Sequence, residues 1–136
     1  MGARSTITVV AGVIERQGRI LIGQRRVGEW NALKWEFPGG KLEPHEDPRK
    51  ALERELREEL SIDAQVGEEL MRYEFQYPGK PPIYLIFYKV DSYTGEPRNL
   101  AFQEIRWELA SSFPAYDFLD GDADFVRRLA RGEIGH

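Results

Sequence analysis

The sequence predicts one mixed α/β domain spanning residues 1–136, on three observations. The length is the modal size of a single domain. Segments rich in β-branched and aromatic residues alternate with two stretches of helical spacing, in the order β-rich, helix, β-rich, helix. The 8 prolines and 13 glycines punctuate turns between these segments, and no repeat or low-complexity tract divides them.

Residues 6–13 (TITVVAGV) predict a strand from their β-branched content, and the turn ERQG leads into a second strand over 19–24, so the two form a hairpin. Residues 27–34 are polar and irregular. WEFPGGK at 35–41 reads as a short extended segment ended by a Pro-Gly-Gly breaker, with Trp35 and Phe37 as core residues. Asp47-Pro48 is a helix start, an N-cap followed by proline in the first turn, and good helix formers continue to Leu60. After Gly67 the pattern is again extended: 70–77 (LMRYEFQY), a PGKPP turn, then the near-continuous apolar run 83–90 (IYLIFYKV), which predicts a central strand. Residues 104–109 (EIRWEL) alternate as a strand, and 122–130 carry Phe125, Val126 and Leu129 at helical spacing.

Hydrophobic residues at 41% exclude a disordered chain. No apolar run approaches the roughly 18 to 20 residues of a membrane span. The first 18 residues lack the apolar stretch and cleavage site of a secretion signal, and cysteine is absent, so a reducing, cytoplasmic setting is expected. A net charge of −4 excludes a global basic field for duplex nucleic acid. An anionic substrate would need cations supplied locally.

The 47–60 helix is oddly charged. With Leu52 at zero on a wheel of about 100° per residue, Leu56 and Leu60 fall at about 40° and 80° and define the buried stripe. Glu59 then falls at about −20°, Glu55 at about −60° and Glu58 at about −120°, so two of the three acids flank the apolar stripe. Side chains three and four apart are neighbours on a helix, and two like charges 6 Å apart repel by about 3 kcal/mol at an effective dielectric of about 20. A charged solvated face explains Arg54, as the partner of Glu58. It does not explain acids beside leucines, whereas a hard divalent cation, Mg²⁺ or Mn²⁺, held by clustered oxygen ligands reverses the repulsion.

Gly40, Glu46, Arg54, Glu55, Leu56, Glu58, Glu59 and Ile62 also stand at the positions of G-x5-E-x7-R-E-U-x-E-E-x-G-U, where U is bulky and aliphatic. The stretch GGKLEPHEDPRKALERELREELSI resembles the signature of the Nudix hydrolases, and VVAGVIERQGRILIGQRR, WEFPGGK and IYLIFYKV extend the likeness to the MutT-like branch over nearly the whole chain. The resemblance implies an α/β/α sandwich with a mixed β-sheet, and hydrolysis of a nucleoside triphosphate to monophosphate and pyrophosphate, with 8-oxo-dGTP or (d)CTP as the leading substrates. An RNA 5′-triphosphate end and a non-catalytic nucleotide-binding module are the alternatives, and a monomer or homodimer is expected. It implies Gly39 (through its carbonyl), Glu55, Glu58 and Glu59 as metal ligands, Glu55 or Glu59 as the base, Arg54 as the residue orienting the cluster, and Glu46 as its support.

Two positions depart from the pattern. Ser61 replaces the glycine that caps the helix in a left-handed conformation. A loop glutamate carried by many relatives six residues before a tryptophan falls, with Trp107 as anchor, on Ala101; Glu104 is the nearest carboxylate and reads equally as a surface residue. Arg25, Arg26 and Lys41 suit phosphate oxygens. Tyr73, Phe75 and Tyr77 alternate on one strand face, where one of them, Phe75 being the candidate, can stack on a base. Asp122 falls where relatives set an Asn or Asp at the base edge, and it serves equally as a helix N-cap; an ionised carboxylate there would only accept hydrogen bonds.

Overall fold

The computed structural model describes residues 7–134. The chain runs β1 Ile7–Val13, β2 Glu15–Arg16, β3 Arg19–Gln24, β4 Trp35–Glu36, β5 Gly39–Lys41, α1 Pro48–Leu60, β6 Asp63–Phe75, β7 Ile83–Thr94, β8 Glu104–Glu108 and α2 Ala123–Ala130, with 3₁₀ turns at Ala110–Ala115 and Asp120–Asp122. The Thr6 start expected for the first strand lies outside the described residues. No helix among them is long and apolar enough to cross a membrane.

One sheet has the order β5-β1-β7-β6, with β1 and β7 parallel and the other pairs antiparallel. The second sheet is antiparallel and centres on β3, which pairs with β2, β4 and β8. Strand alternation makes the sandwich. Val10, Ile86, Tyr88 and Val90 face α1 through Ala51, Leu52, Leu56 and Leu60. Ala11, Val13, Leu85 and Phe87 face the opposite way, to Phe125, Val126 and Leu129 of α2. Burying each of these leucines contributes about 1.5 to 3 kcal/mol. The apolar run of β7 is continuous because both of its faces are covered, and it is the central strand expected.

Three boundaries differ from the sequence reading. β6 begins at Asp63, because Gly67 is no break: the pairing with β7 continues through register shifts between Gln65 and Met71, a bulged stretch that tolerates the glycine. The same strand ends at Phe75, so Tyr77 lies in the following loop. α2 begins at Ala123, with Asp122 inside the preceding 3₁₀ turn and making no capping hydrogen bond through its side chain. The Asp47 cap is as expected, its side chain accepting from Lys50 N at 3.2 Å. Ser61 is left-handed, with φ 58° and ψ 38°.

Candidate active site

β5 lies close against β1. A Cβ on Gly39 would sit 2.0 Å from the Val10 carbonyl oxygen, and one on Gly40 would sit 2.5 Å from Cδ of Glu55. Only glycines let this strand approach both the sheet and the helix carboxylates. The Gly39 N–H donates to Oε1 of Glu59 at 3.1 Å. At its C-terminus α1 is fastened by the loop before β8, where Arg98 N and Leu100 N donate to the carbonyls of Leu60 and Glu59 at 2.8 and 3.0 Å, satisfying acceptors the helix leaves free.

A cavity of about 500 Å³ opens beside this junction. Gly39, Gly40, Lys41 and Glu59 line one part; Glu36, Phe37, Leu119 and Asp122 another; Arg25, Glu29, Trp30, Tyr77 and Lys80 belong to its rim and wall, as do Ala101 and Phe102. Glu55 lies behind Gly40, and its carboxyl shares a hydrogen bond with that of Glu59. Burial, and then the charges of Glu55 and Glu36, push Glu59 far above the ordinary carboxylate range; burial also raises Glu55. The pair therefore favours one proton between two half-buried acids.

Arg54 gathers the remaining acids. Its Nε and Nη2 reach the two oxygens of Glu46 at 2.8 and 2.9 Å, a bidentate fork, while Nη1 lies 3.2 Å from Glu55 and 3.4 Å from Glu58. The fork holds Glu46 down at about 2, and Glu46 in turn accepts from Glu43 N at 2.9 Å. Glu58 is largely exposed. Among the described residues no three acidic or histidine side chains form a ready cage for an ion. The donor set still fits a hard cation: two facing carboxyls hold a proton where a positive charge would replace it, next to glycine backbone that leaves room.

Two of the residues singled out in the sequence are placed elsewhere. Arg26 is exposed and off the cavity wall, donating to the Leu100 carbonyl at 3.4 Å. Phe75 packs edge-on against Tyr77, at 4.8 Å between centroids, under the 3₁₀ turn of residues 120–122; of the three alternating aromatics it is Tyr77 that reaches the cavity. The strand ends before Tyr77, which breaks the alternation that grouped them. Glu104 is engaged by Arg106 and stays off the cavity wall, whereas Ala101 is on it.

Asp122 sits where its charge is disfavoured. It is the one buried polar residue among those described, and burial raises it well above its ordinary value, with the Glu36 charge adding and a hydrogen bond from the Phe37 N–H opposing. Burial therefore favours its protonated form, which can both donate and accept. Glu36 escaped the sequence reading. Burial pushes it up to about 7 despite Arg25 Nη1 at 3.2 Å. The available signal was an acid alternating between two buried aromatics in WEF.

A family model described as NUDIX domain matches residues 4–129. The chain is 39% identical over 127 residues to a Haemophilus influenzae protein named 8-oxo-dGTP diphosphatase, covering 93% of each. It is 44% identical over 101 residues to an Escherichia coli protein named CTP pyrophosphohydrolase, covering 74% of each. The solution structure of the E. coli ORF135 protein superimposes with a TM-score of 0.82 at 36% identity, over 93% of this chain and 89% of that one.

Proposed function

Since the chain belongs to the Nudix hydrolase family, in its MutT-like branch of enzymes that cleave phosphoric anhydrides, we propose that it hydrolyses a nucleoside triphosphate to the monophosphate and pyrophosphate, with Mg²⁺ (or Mn²⁺) as cofactor and 8-oxo-dGTP or (d)CTP as substrate. The observation that carries this reading is a single cavity lined both by the helix acid Glu59, beside Glu55, and by the buried carboxyl of Asp122. One set of groups handles charge and the other selects a base.

Glu55, Glu58 and Glu59, with the Gly39 carbonyl, would hold the cation. When bound, Mg²⁺ supplies Lewis acidity toward the phosphates and a more acidic water. One carboxylate of the Glu55–Glu59 pair accepts the proton of the attacking water; the pair already shares a proton in the absence of the ion. Arg54 keeps Glu55 and Glu58 in place, and Glu46 anchors Arg54 through the fork. Lys41 and Arg25 neutralise phosphate oxygens at the wall. Asp122 meets the base edge.

The test is release of pyrophosphate, with Mg²⁺ present, from a panel of 8-oxo-dGTP, dGTP, CTP, dCTP, dTTP and a 5′-triphosphorylated RNA. Formation of the monophosphate and pyrophosphate from an oxidised purine or a cytosine nucleotide is expected. Turnover confined to the RNA, or binding without turnover, overturns the reading.

A further inference from the structure

The 3₁₀ turn that carries Asp122 is held through both peptide groups of one residue. Tyr73 donates its hydroxyl to the Gly121 carbonyl at 2.6 Å, and the Gly121 N–H donates to the Tyr77 hydroxyl at 2.8 Å. We propose that Tyr73 and Tyr77 are positioning residues for base selection: by clamping Gly121 they aim the buried carboxyl of Asp122 into the cavity, and Tyr77 ties that aim to the cavity rim through Trp30. This rests on the assignment of Asp122 to the base.

Neither tyrosine is near the helix acids in sequence, and the geometry of each is fixed by packing. The Tyr73 ring lies against Phe87 at 5.8 Å, and Phe87 stacks on Phe125 of α2 at 4.0 Å. Phe75 supports Tyr77 from one side, and Trp30 meets it edge-on at 4.8 Å. Trp30 is 46% exposed and lines the cavity, as does Lys80, whose Nζ lies 5.1 Å from the indole. The chain of contacts therefore runs from the solvent edge of the cavity to its buried carboxyl.

The opposite side of the turn is pinned by main-chain bonds. Trp35 N donates to the Asp117 carbonyl, and Leu119 N to that of Trp35, both at 2.9 Å. Trp35 holds the turn on one side and two phenols on the other, and a Cβ on Gly121 would stand 2.8 Å from the Tyr77 oxygen, so a side chain there must displace that hydroxyl. A group that discriminates by hydrogen bonding needs this, because a misplaced donor or acceptor loses selectivity before it loses binding.

The experiment compares kcat/KM for the preferred and the least preferred nucleotide among 8-oxo-dGTP, dGTP, dCTP and dTTP. That ratio is independent of how much enzyme is folded. Tyr73→Phe and Tyr77→Phe, which remove only the hydroxyls, should each narrow the ratio by at least about threefold, and Gly121→Ala, which displaces the Tyr77 oxygen, should act in the same direction. In the Tyr77→Phe/Asp122→Ala double variant the ratio should match that of Asp122→Ala alone, because the hydroxyl acts through the carboxyl. If Asp122→Ala collapses the ratio while the variants at 73, 77 and 121 keep it, or lower kcat/KM equally for all nucleotides, the clamp is overturned and the base assignment stands. If Asp122→Ala leaves the ratio intact, the base assignment itself fails, and the clamp with it. Thermal melts identify any variant that does not fold, and the other two then decide.

Discussion

The Gly39 N–H donates to Glu59 Oε1 at 3.1 Å, so the strand beside the cavity is tied directly to the last turn of α1. Glu59 is thereby fixed in a buried place where its own charge is disfavoured. Glu59→Gln should cut kcat by at least about 10²-fold while the fold is kept. Its folded-state value lies above the ordinary 4.5, so the proton it retains stabilises the metal-free protein fully below that value, and this stability is lost as pH rises through the raised value. Gln does not titrate. The melting temperature of the variant should therefore gain on that of the parent between pH 6 and pH 9, without metal, on the order of a few degrees. Near-parental kcat at saturating Mg²⁺ would sink the role given to Glu59.

Metal addition follows the same linkage with opposite sign. Ligands must lose their protons to bind a cation, so the rise in melting temperature produced by Mg²⁺ should be larger at alkaline than at mildly acid pH. A rise that is the same at both, or that survives in a Glu55→Gln/Glu59→Gln double variant, would place the ion elsewhere.

Arg54 and Glu46 form a two-point fork, which lysine cannot reproduce. Arg54→Lys should lower kcat by at least about tenfold and KM little, because Glu55 and Glu58 lose their common guide. Glu46 is depressed to about 2, so its share of stability is full above the ordinary 4.5 and is lost as pH falls toward 2. The difference in urea midpoint between the parent and Glu46→Gln should accordingly shrink from pH 7 to pH 3; a constant difference would mean that the fork contributes nothing through charge.

Ser61 closes α1 at φ 58°, its N–H donating to the Arg57 carbonyl at 3.0 Å. Ser61→Gly should stabilise the protein by about 0.5 to 1 kcal/mol, since the relief of Cβ strain exceeds the added entropy of the unfolded chain. Denaturant midpoints measure it, and a lower midpoint in the variant refutes it. Activity should hardly change.

Asp122 offers the sharpest chemical test. In the protonated form that its burial favours, it would present a donor and an acceptor side by side, which suits the N7–H and O6 of 8-oxoguanine and not the two acceptors of guanine. Asparagine offers the same pair. Asp122→Asn should keep the preference for 8-oxo-dGTP over dGTP, and Asp122→Ala should lose about 1 kcal/mol or more of it. An equal loss in both variants would show that no donor and acceptor pair is read there.

Much of this protein was legible before any coordinates. Asp47-Pro48 and the position of Ser61 bound α1, the leucine stripe sets its buried face, and the spacing of Glu55, Glu58 and Glu59 makes them neighbours on it, because a helix places residues three and four apart together whatever surrounds it. Alternation in β1 and β7 likewise divides the two cores, since strand geometry is local. What lines the cavity opposite those acids was decided by tertiary structure. Glu36 comes from β4 of one sheet, and Tyr77 and Lys80 from the loop between β6 and β7 of the other; they meet only when the two sheets pack, and Gly67 reads as a break until its partner strand shows a bulge. The upward shift of Asp122 belongs to the same class. An aspartate's charge in sequence is an intrinsic property, but its desolvation is collective, set by every group that excludes water from it, and no local pattern encodes that sum.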